Sequence, residues 1–317
     1  MLFLVEFSGE SRDAVFAELK ALTEIYLETR ILWINQKGAI IEADLSNLSE
    51  MAFARRVSEV IASCNTIEEF SGIQLPEGKF YLRKVRLSDP TMDYTEGELA
   101  GALSAFGRVS FSNPDFIVLA AYADKWYISI VRYFRDTKMM NLRRSPMRPF
   151  FSPISLHPKF AKFMVNLSRT YPGDTLLDPF CGTGGILIEA GLAGRKVIGN
   201  DASLVMVKGA RLNLKYFSIQ GKIYNAKIQG LKIEEDVDSI VTDMPYGRSS
   251  PVIGELVSLY KESFAKFAEI LSHGRYCVII VSDTGLLSYA TDFTIVDTVR
   301  IKVHNSLTRS YVVLRRN

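Results

Sequence analysis

The chain has 317 residues, 48% hydrophobic and 23% charged, which is enough apolar side chain for one long domain or two ordinary ones with their own cores. Its 38 Lys and Arg against 35 Asp and Glu leave a formal charge of +3. That balance excludes a histone-like or tail-driven nucleic-acid binder and leaves room for a local basic patch.

In chain order, residues 1–7 read as a strand, and Val15, Phe16, Leu19, Leu22 and Tyr26 fall at three- and four-residue steps, the apolar stripe of a helix. Strand-like runs follow at 31–34 and 39–43, a second helix is expected from Met51 to about Ala62, and turn signals at Gly72, Pro76 and Gly78 lead into a strand over 80–85. Thr95 with Glu98 forms a capping-box pattern before the apolar face of Leu99, Leu103 and Phe106. Runs 116–121 and 126–133 read as neighbouring strands turned near Asp124 and Lys125, so residues 1–135 are expected to form an α+β region.

Over residues 136–158 the composition shifts to Arg, Met, Pro, Phe and Ser, and Pro146, Pro149, Pro153 and Pro158 preclude a long helix; a linker is expected here. From 159 to 317 strands and helices alternate. A helix carries Phe160, Phe163, Met164 and Leu167 on one face, and strand runs recur at 175–177, 196–199, 223–225, 239–242 and 276–281. Such alternation predicts an α/β domain with a mostly parallel sheet covered on both faces. Cys64, Cys181 and Cys277 are far apart, without a Cys-x-x-Cys pair, so neither a disulfide framework nor a structural metal is expected. No apolar run approaches the roughly 18 residues that cross a bilayer, and the N-terminus lacks the features of a signal peptide. A cytoplasmic protein without membrane contact is expected.

The most informative segment is Asp178-Pro179-Phe180-Cys181-Gly182-Thr183-Gly184-Gly185. A strand ends at a carboxylate, a glycine-rich turn follows and a helix starts at once, as in the first βα unit of a doubly wound fold. Asp201 ends the next strand 19 residues after Gly182, the spacing at which an acid accepts hydrogen bonds from ribose hydroxyls. An adenosine-type cofactor is implied. Asp178 would repel a diphosphate and suits the ammonium of S-adenosylmethionine, with Gly182, Thr183 and Gly184 along the turn and Asn225 and Ala226 beside the adenine. The competing reading is an ordinary glycine-rich βα turn.

The fourth strand of this alternation runs into Asp243-Met244-Pro245-Tyr246-Gly247-Arg248-Ser249. This segment resembles the Asn/Asp-Pro-Pro-Tyr motif of S-adenosylmethionine-dependent methyltransferases acting on exocyclic amines of bases, with Met244 in place of the first proline. An exocyclic amine is a poor nucleophile because its lone pair is delocalised into the ring. Asp243 and the Pro245 carbonyl can each accept one N–H bond, and Tyr246 can stack on the base. The alternative is a proline turn with Asp243 capping the next helix. Arg248 reads equally as a phosphate contact or as a loop-stabilising ion pair.

This loop, together with Arg148-Pro149-Phe150, Ser155-Leu156-His157-Pro158 and His304-Asn305-Ser306-Leu307-Thr308-Arg309, resembles the archaeal tRNA guanine-10 N2-methyltransferases. The resemblance covers about residues 78–317. It implies a Rossmann-like class I methyltransferase domain preceded by a ferredoxin-like part and a THUMP module, the latter supported by Asn113-Pro114-Asp115 before a β-run. It also implies a tRNA partner gripped through shape. A monomer without metal is expected. The same catalytic motif occurs in adenine-N6 DNA methyltransferases, and an inactive tRNA-binding protein of the same fold is a further alternative.

Charge is unevenly placed. Residues 1–124 carry 11 basic and 19 acidic side chains, residues 125–148 carry 7 and 1, and residues 149–317 carry 20 and 15. In the middle stretch Lys125, Arg132, Arg143, Arg144 and Arg148 are interleaved with Trp126, Tyr127, Tyr133 and Phe134, a pattern that suits an RNA backbone. A solvated strand edge and linker is the alternative.

Overall fold

The structure, a computed structural model, describes residues 1–317 apart from 89–92, 104–106, 154, 246–252 and 305–306, and apart from the side chains of 253, 303, 304 and 307. The chain divides into two compact units, Met1–Arg12 with Tyr26–Arg135, and Asp13–Ile25 with Asp136–Asn317.

The first 64 residues run β1 (Leu2–Phe7), α1 (Arg12–Ile25), β2 (Arg30–Ile34), β3 (Gly38–Glu42), α2 (Leu45–Ser49) and β4 (Ala54–Cys64). Strands β2-β3-β1-β4 lie in that order and are antiparallel throughout, the β-α-β-β-α-β arrangement of ferredoxin-like folds. The sheet continues through β8 (Trp126–Phe134), β7 (Phe116–Tyr122), β5 (Lys79–Arg86) and β6 (Arg108–Val109), giving eight strands. Helix α3 (Glu96–Leu103) covers the second half. Its capping box is formed: Thr95 N donates to Glu98 Oε2 at 2.7 Å, and Glu98 N donates to Thr95 Oγ1 at 3.2 Å. Beneath it Leu99 and Leu103 meet Phe70, Phe80 and Trp126, with Phe70 edge-on to the indole at 5.7 Å between centroids.

The helix expected over 51–62 is instead the long strand β4. It pairs with β1 on one side and β8 on the other, and the pairing register shifts at Glu6/Phe7, Val57/Ser58 and Val60/Ala62. A central strand covered on both faces shows little two-residue alternation, and each irregularity resets what alternation remains. Val57, Val60 and Ile61 are β-branched, and the ladder overrides the accidental helical spacing.

The second unit holds α4 (Thr137–Leu142), α5 (Pro158–Leu167), β9 (Thr175–Asp178), α6 (Gly185–Leu192), β10 (Lys196–Asn200), α7 (Leu204–Tyr216), β11 (Gly221–Tyr224), β12 (Val237–Asp243), α8 (Ile253–Ile270), β13 (Leu271–Val281), β14 (Phe293–His304) and β15 (Leu307–Arg316). The sheet order is β11-β10-β9-β12-β13-β15-β14. The first five strands are parallel, and β15 and β14 close the edge as an antiparallel hairpin. The order reverses between β9 and β12, so the crevice beyond their carboxyl ends is where a doubly wound sheet receives its ligand. Under the sheet, Tyr260, Phe264 and Phe267 of α8 pack on Ile240, Cys277 and Ile279.

Helix α1 clusters with this second unit, which chain order does not suggest. Asn166 Nδ2 donates to the buried Glu18 Oε1 at 2.7 Å, and Arg169 Nε donates to Glu24 Oε2 at 2.6 Å while its guanidinium lies over the Tyr276 ring. Among the described residues no helix is long and apolar enough to cross a membrane, and no group of three or more His, Cys, Asp and Glu could hold a metal.

Candidate active site

Strand β9 delivers Asp178 to the switch point, and the chain turns back sharply to start α6. Cys181 N donates to Asn200 O at 2.8 Å and Gly184 N donates to Cys181 O at 2.8 Å, which folds the loop over the end of β10. Gly182 (φ +50°) and Gly184 (φ +80°) occupy the left-handed region that side-chain-bearing residues avoid, and Gly184 is the N-cap of α6. Gly182 N donates to Asp201 Oδ2 at 3.0 Å and Ser203 N donates to Asp201 Oδ1 at 2.8 Å, so the acid after β10 is locked against the loop.

Asp178 is 2% exposed. Two donors converge on one of its oxygens, Thr242 Oγ1 at 2.6 Å and Phe180 N at 3.2 Å, both to Oδ1. Burial pushes its pKa up to about 7; the two hydrogen bonds oppose that rise, and the nearby Asp243 and Asp201 carboxylates add to it. Burial and the Asp178 and Asp201 charges likewise hold the Cys181 thiol well above its ordinary value, which makes it an inert packing group.

These residues line a cavity of about 570 Å³, within the range of small-molecule sites. Its wall carries Asp178 and Asp201, the Gly182–Thr183 backbone, the apolar side chains of Ile186, Met206, Ile228 and Leu256, and, from the end of β12, Asp243 and Pro245. The set fits S-adenosylmethionine: a buried carboxylate for an ammonium, a second for ribose hydroxyls and apolar walls for adenine.

Of the residues expected from sequence, Asp178, Gly182, Thr183, Asp201, Ala226, Asp243 and Pro245 line the cavity. Gly184 does not; it sits against Ala210 of α7 as a turn residue. Asn225 does not either: its Nδ2 donates to the carbonyls of Asp201 and Ala202 at 2.8 and 3.1 Å, bracing the loop after β10, and the cavity wall passes to Ala226. Tyr246 and Arg248 lie outside the described residues. Met244 is buried, and its N–H donates to Ile280 O at 3.1 Å, extending the β12–β13 ladder with a bond that a proline there would forfeit.

Residues 136–158, expected as a linker, fold onto the cofactor loop. Ser152, Ser155 and Leu156 line the cavity, which the sequence reading missed although it singled out the run 155–158. The Ser155 and Thr183 hydroxyls are 2.9 Å apart, and Asn213 of α7 binds both Phe150 O and Thr183 O through its Nδ2.

Two arginines expected to face RNA are turned inward. Arg143 grips Glu189 of α6 with Nε–Oε1 2.7 Å and Nη2–Oε2 3.0 Å, and the carboxylate is 2% exposed. Arg148 is buried, donating through Nε to Arg143 O at 2.8 Å and through Nη1 to Thr183 Oγ1 at 3.3 Å. Burial lowers the Arg148 pKa from its ordinary value and Glu189 opposes the fall. Arg144 is exposed. Arg132 carries an exposed pair with Glu59 at 2.8 Å, and Lys125 lies over the Tyr127 ring.

Residues 145–311 match the family model described as the RMKL-like methyltransferase domain. The chain is 42% identical to a tRNA (guanine(10)-N2)-dimethyltransferase of Methanothermobacter thermautotrophicus over all of both chains, and 31% identical to one of Pyrococcus abyssi over 99% of each. Its fold is similar along all of both chains to TrmN from Thermus thermophilus, with a TM-score of 0.59 at 17% identity. The switch-point cavity, the carboxylate at the end of β12 and the likeness of the whole chain to these relatives lead to one conclusion: the chain belongs to the tRNA (guanine(10)-N2)-dimethyltransferase family.

Proposed function

We propose that the protein transfers methyl groups from S-adenosylmethionine to the exocyclic N2 amine of guanine 10 in tRNA, acting as a monomer. The observation that carries this reading is that Asp243 and Pro245 stand in the wall of the same cavity as Asp178, Thr183 and Asp201. A donor held by the latter group thus shares one enclosed space with acceptors for an amine. The relatives' names supply the base, the atom and the RNA.

The bound cofactor supplies a methyl carbon already activated by its sulfonium. The protein's share is positioning and exclusion of water. Asp178 and Asp201 hold the donor's ammonium and ribose. The Asp243 carboxylate accepts one N–H of the target amine and the Pro245 carbonyl the other, turning the lone pair toward the donor, and Asp243 accepts the proton that the amine loses. Tyr246 is assigned to stacking on the extruded base. After one transfer a single N–H remains, so the second transfer proceeds with one of the two acceptors unmatched, and monomethylated product builds up before dimethylated product.

Residues 65–135 are assigned as the THUMP module. Lys125, Arg132, Arg144 and Arg248 are the proposed phosphate contacts; Arg143 and Arg148 are not, because their guanidinium groups are engaged inside the second unit. The exposed pair of Arg132 with Glu59 is worth little in water, so its guanidinium is free to exchange a carboxylate for a phosphate.

The test is methyl transfer from labelled S-adenosylmethionine to an unmodified tRNA transcript, repeated with guanine 10 replaced by adenine and with Asp243→Ala. Label that persists undiminished on the adenine-10 transcript contradicts the guanine assignment and points to adenine-N6 chemistry. Undiminished transfer by Asp243→Ala contradicts the proposed role of that carboxylate.

A further inference from the structure

Asp178 and Asp243 lie at the ends of neighbouring parallel strands, β9 and β12, and Thr242 of β12 reaches across to Asp178. Its hydroxyl is fully buried and donates to Asp178 Oδ1 at 2.6 Å. The Phe180 N–H donates to that same oxygen. Both donors among the described residues thus occupy Oδ1, and neither takes Oδ2 of a carboxylate that lines the cavity. Thr242 is also the residue immediately before Asp243, so the strand that carries the amine acceptor is tied by one hydrogen bond to the carboxylate at the cofactor end.

We propose that Thr242 is a positioning residue for methyl transfer: its hydroxyl fixes the rotamer of Asp178 so that Oδ2 faces the donor's ammonium. The inference rests on the reading of the cavity as an S-adenosylmethionine site and adds a residue that reading does not include.

The electrostatic setting explains why one hydroxyl matters. Among the described residues, the charged groups that bear on Asp178 are Asp243 at the end of β12 and Asp201 after β10, both negative, and the Cys181 thiol beside it is held neutral. Burial and both carboxylates favour the protonated acid, and among the described residues the Thr242 and Phe180 hydrogen bonds favour the anion. The Phe180 donor is backbone and survives any substitution at 242. Removing the hydroxyl therefore leaves Asp178 in place with its stronger opposing bond gone, and its titration moves upward. A proton on Asp178 must then leave before an ammonium can be paired, so the loss of affinity depends on pH.

The test compares the parent with Thr242→Val and Thr242→Ser, measuring S-adenosylmethionine and S-adenosylhomocysteine binding by calorimetry from pH 6 to 9 without tRNA. If the Asp178 pKa rises by about one unit, Thr242→Val binds roughly eightfold more weakly than the parent at pH 6.5 and converges to within about twofold at pH 9. Thr242→Ser restores the parent curve. A Thr242→Val curve that matches the parent at every pH overturns the proposal, as does a deficit of the same size at every pH, which marks a merely structural loss. If the parent binds neither ligand, the cofactor reading itself has failed, an outcome separate from any difference between variants.

Discussion

Arg143 and Arg144 are adjacent in sequence and opposite in role, and substituting each alone exposes the difference. Arg143 makes two charge-assisted bonds to Glu189, whose carboxylate is 2% exposed, and the Arg143 side chain itself is 17% exposed. Removing one partner of a buried pair costs about 3–5 kcal/mol because the other charge stays buried. Arg148 favours the charged Glu189 from close by, which places Arg143→Ala at the low end, near 3 kcal/mol. At roughly 2–4 °C per kcal/mol for a domain of this size, thermal unfolding followed by circular dichroism should show a fall of roughly 6–12 °C. Arg143→Leu combined with Glu189→Leu should recover most of that loss, since an apolar pair of similar volume replaces the ions. Arg144→Ala should leave the melting temperature unchanged, weaken tRNA binding and reduce the slope of log affinity against log salt by about one unit. An unchanged melting temperature in Arg143→Ala, together with a reduced salt slope, would refute the assignment of Arg143 to the interior.

Asp178→Asn should raise the stability of the protein alone while weakening S-adenosylmethionine binding roughly ten- to hundredfold, from the loss of a charge-assisted bond; both are read by calorimetry. The folded pKa of Asp178 is raised from 3.8 to about 7, so its contribution to stability is fully present below about pH 4 and is lost as pH rises through 7. The melting temperature of the protein without cofactor should therefore fall across that window, and less steeply when saturating cofactor supplies the opposite charge. Thr95→Ala removes the hydroxyl half of the capping box on α3, the bond that Thr95 Oγ1 accepts from Glu98 N, leaves the Thr95 N–H to Glu98 bond in place, and should cost about 1 kcal/mol without changing cofactor affinity. Gly182→Val forces a β-branched side chain to φ +50° on the cavity wall and should abolish cofactor binding; retained affinity would mean that the loop does not contact the donor.

Much of the site could be read in the sequence because its chemistry is strung along short segments. Asp178 through Gly185 and Asp243 through Pro245 each follow a strand, and the parallel sheet brings both strand ends to one crevice. What stayed hidden depended on contacts across the chain. The spacing of Met51 to Ala62 imitates a helix, and only its two-sided pairing and three irregularities make it a strand. The run of arginines from 143 to 148 looks uniformly basic, yet Glu189, some 45 residues later, draws one of them inward and Thr183 takes a bond from another. Proline content correctly precluded a long helix over 136–158, but could not show that Phe150 would be pinned by Asn213 and that Ser155 would reach the cofactor loop. The Asn225 side chain illustrates the reverse case: Ala226 lines the cavity, while the amide next to it turns to brace a neighbouring loop.

If the acceptor atom is the exocyclic N2 of guanine 10, inosine at that position removes it by deleting that amine alone. A tRNA assembled with inosine at position 10 keeps the shape and the ring acceptors of the guanine version. The guanine-10 RNA should yield N2-methylguanosine and then N2,N2-dimethylguanosine at that position by nucleoside mass analysis, and the inosine-10 RNA should bind but gain no methyl group there. Equal methylation of the inosine-10 RNA would contradict the N2 assignment.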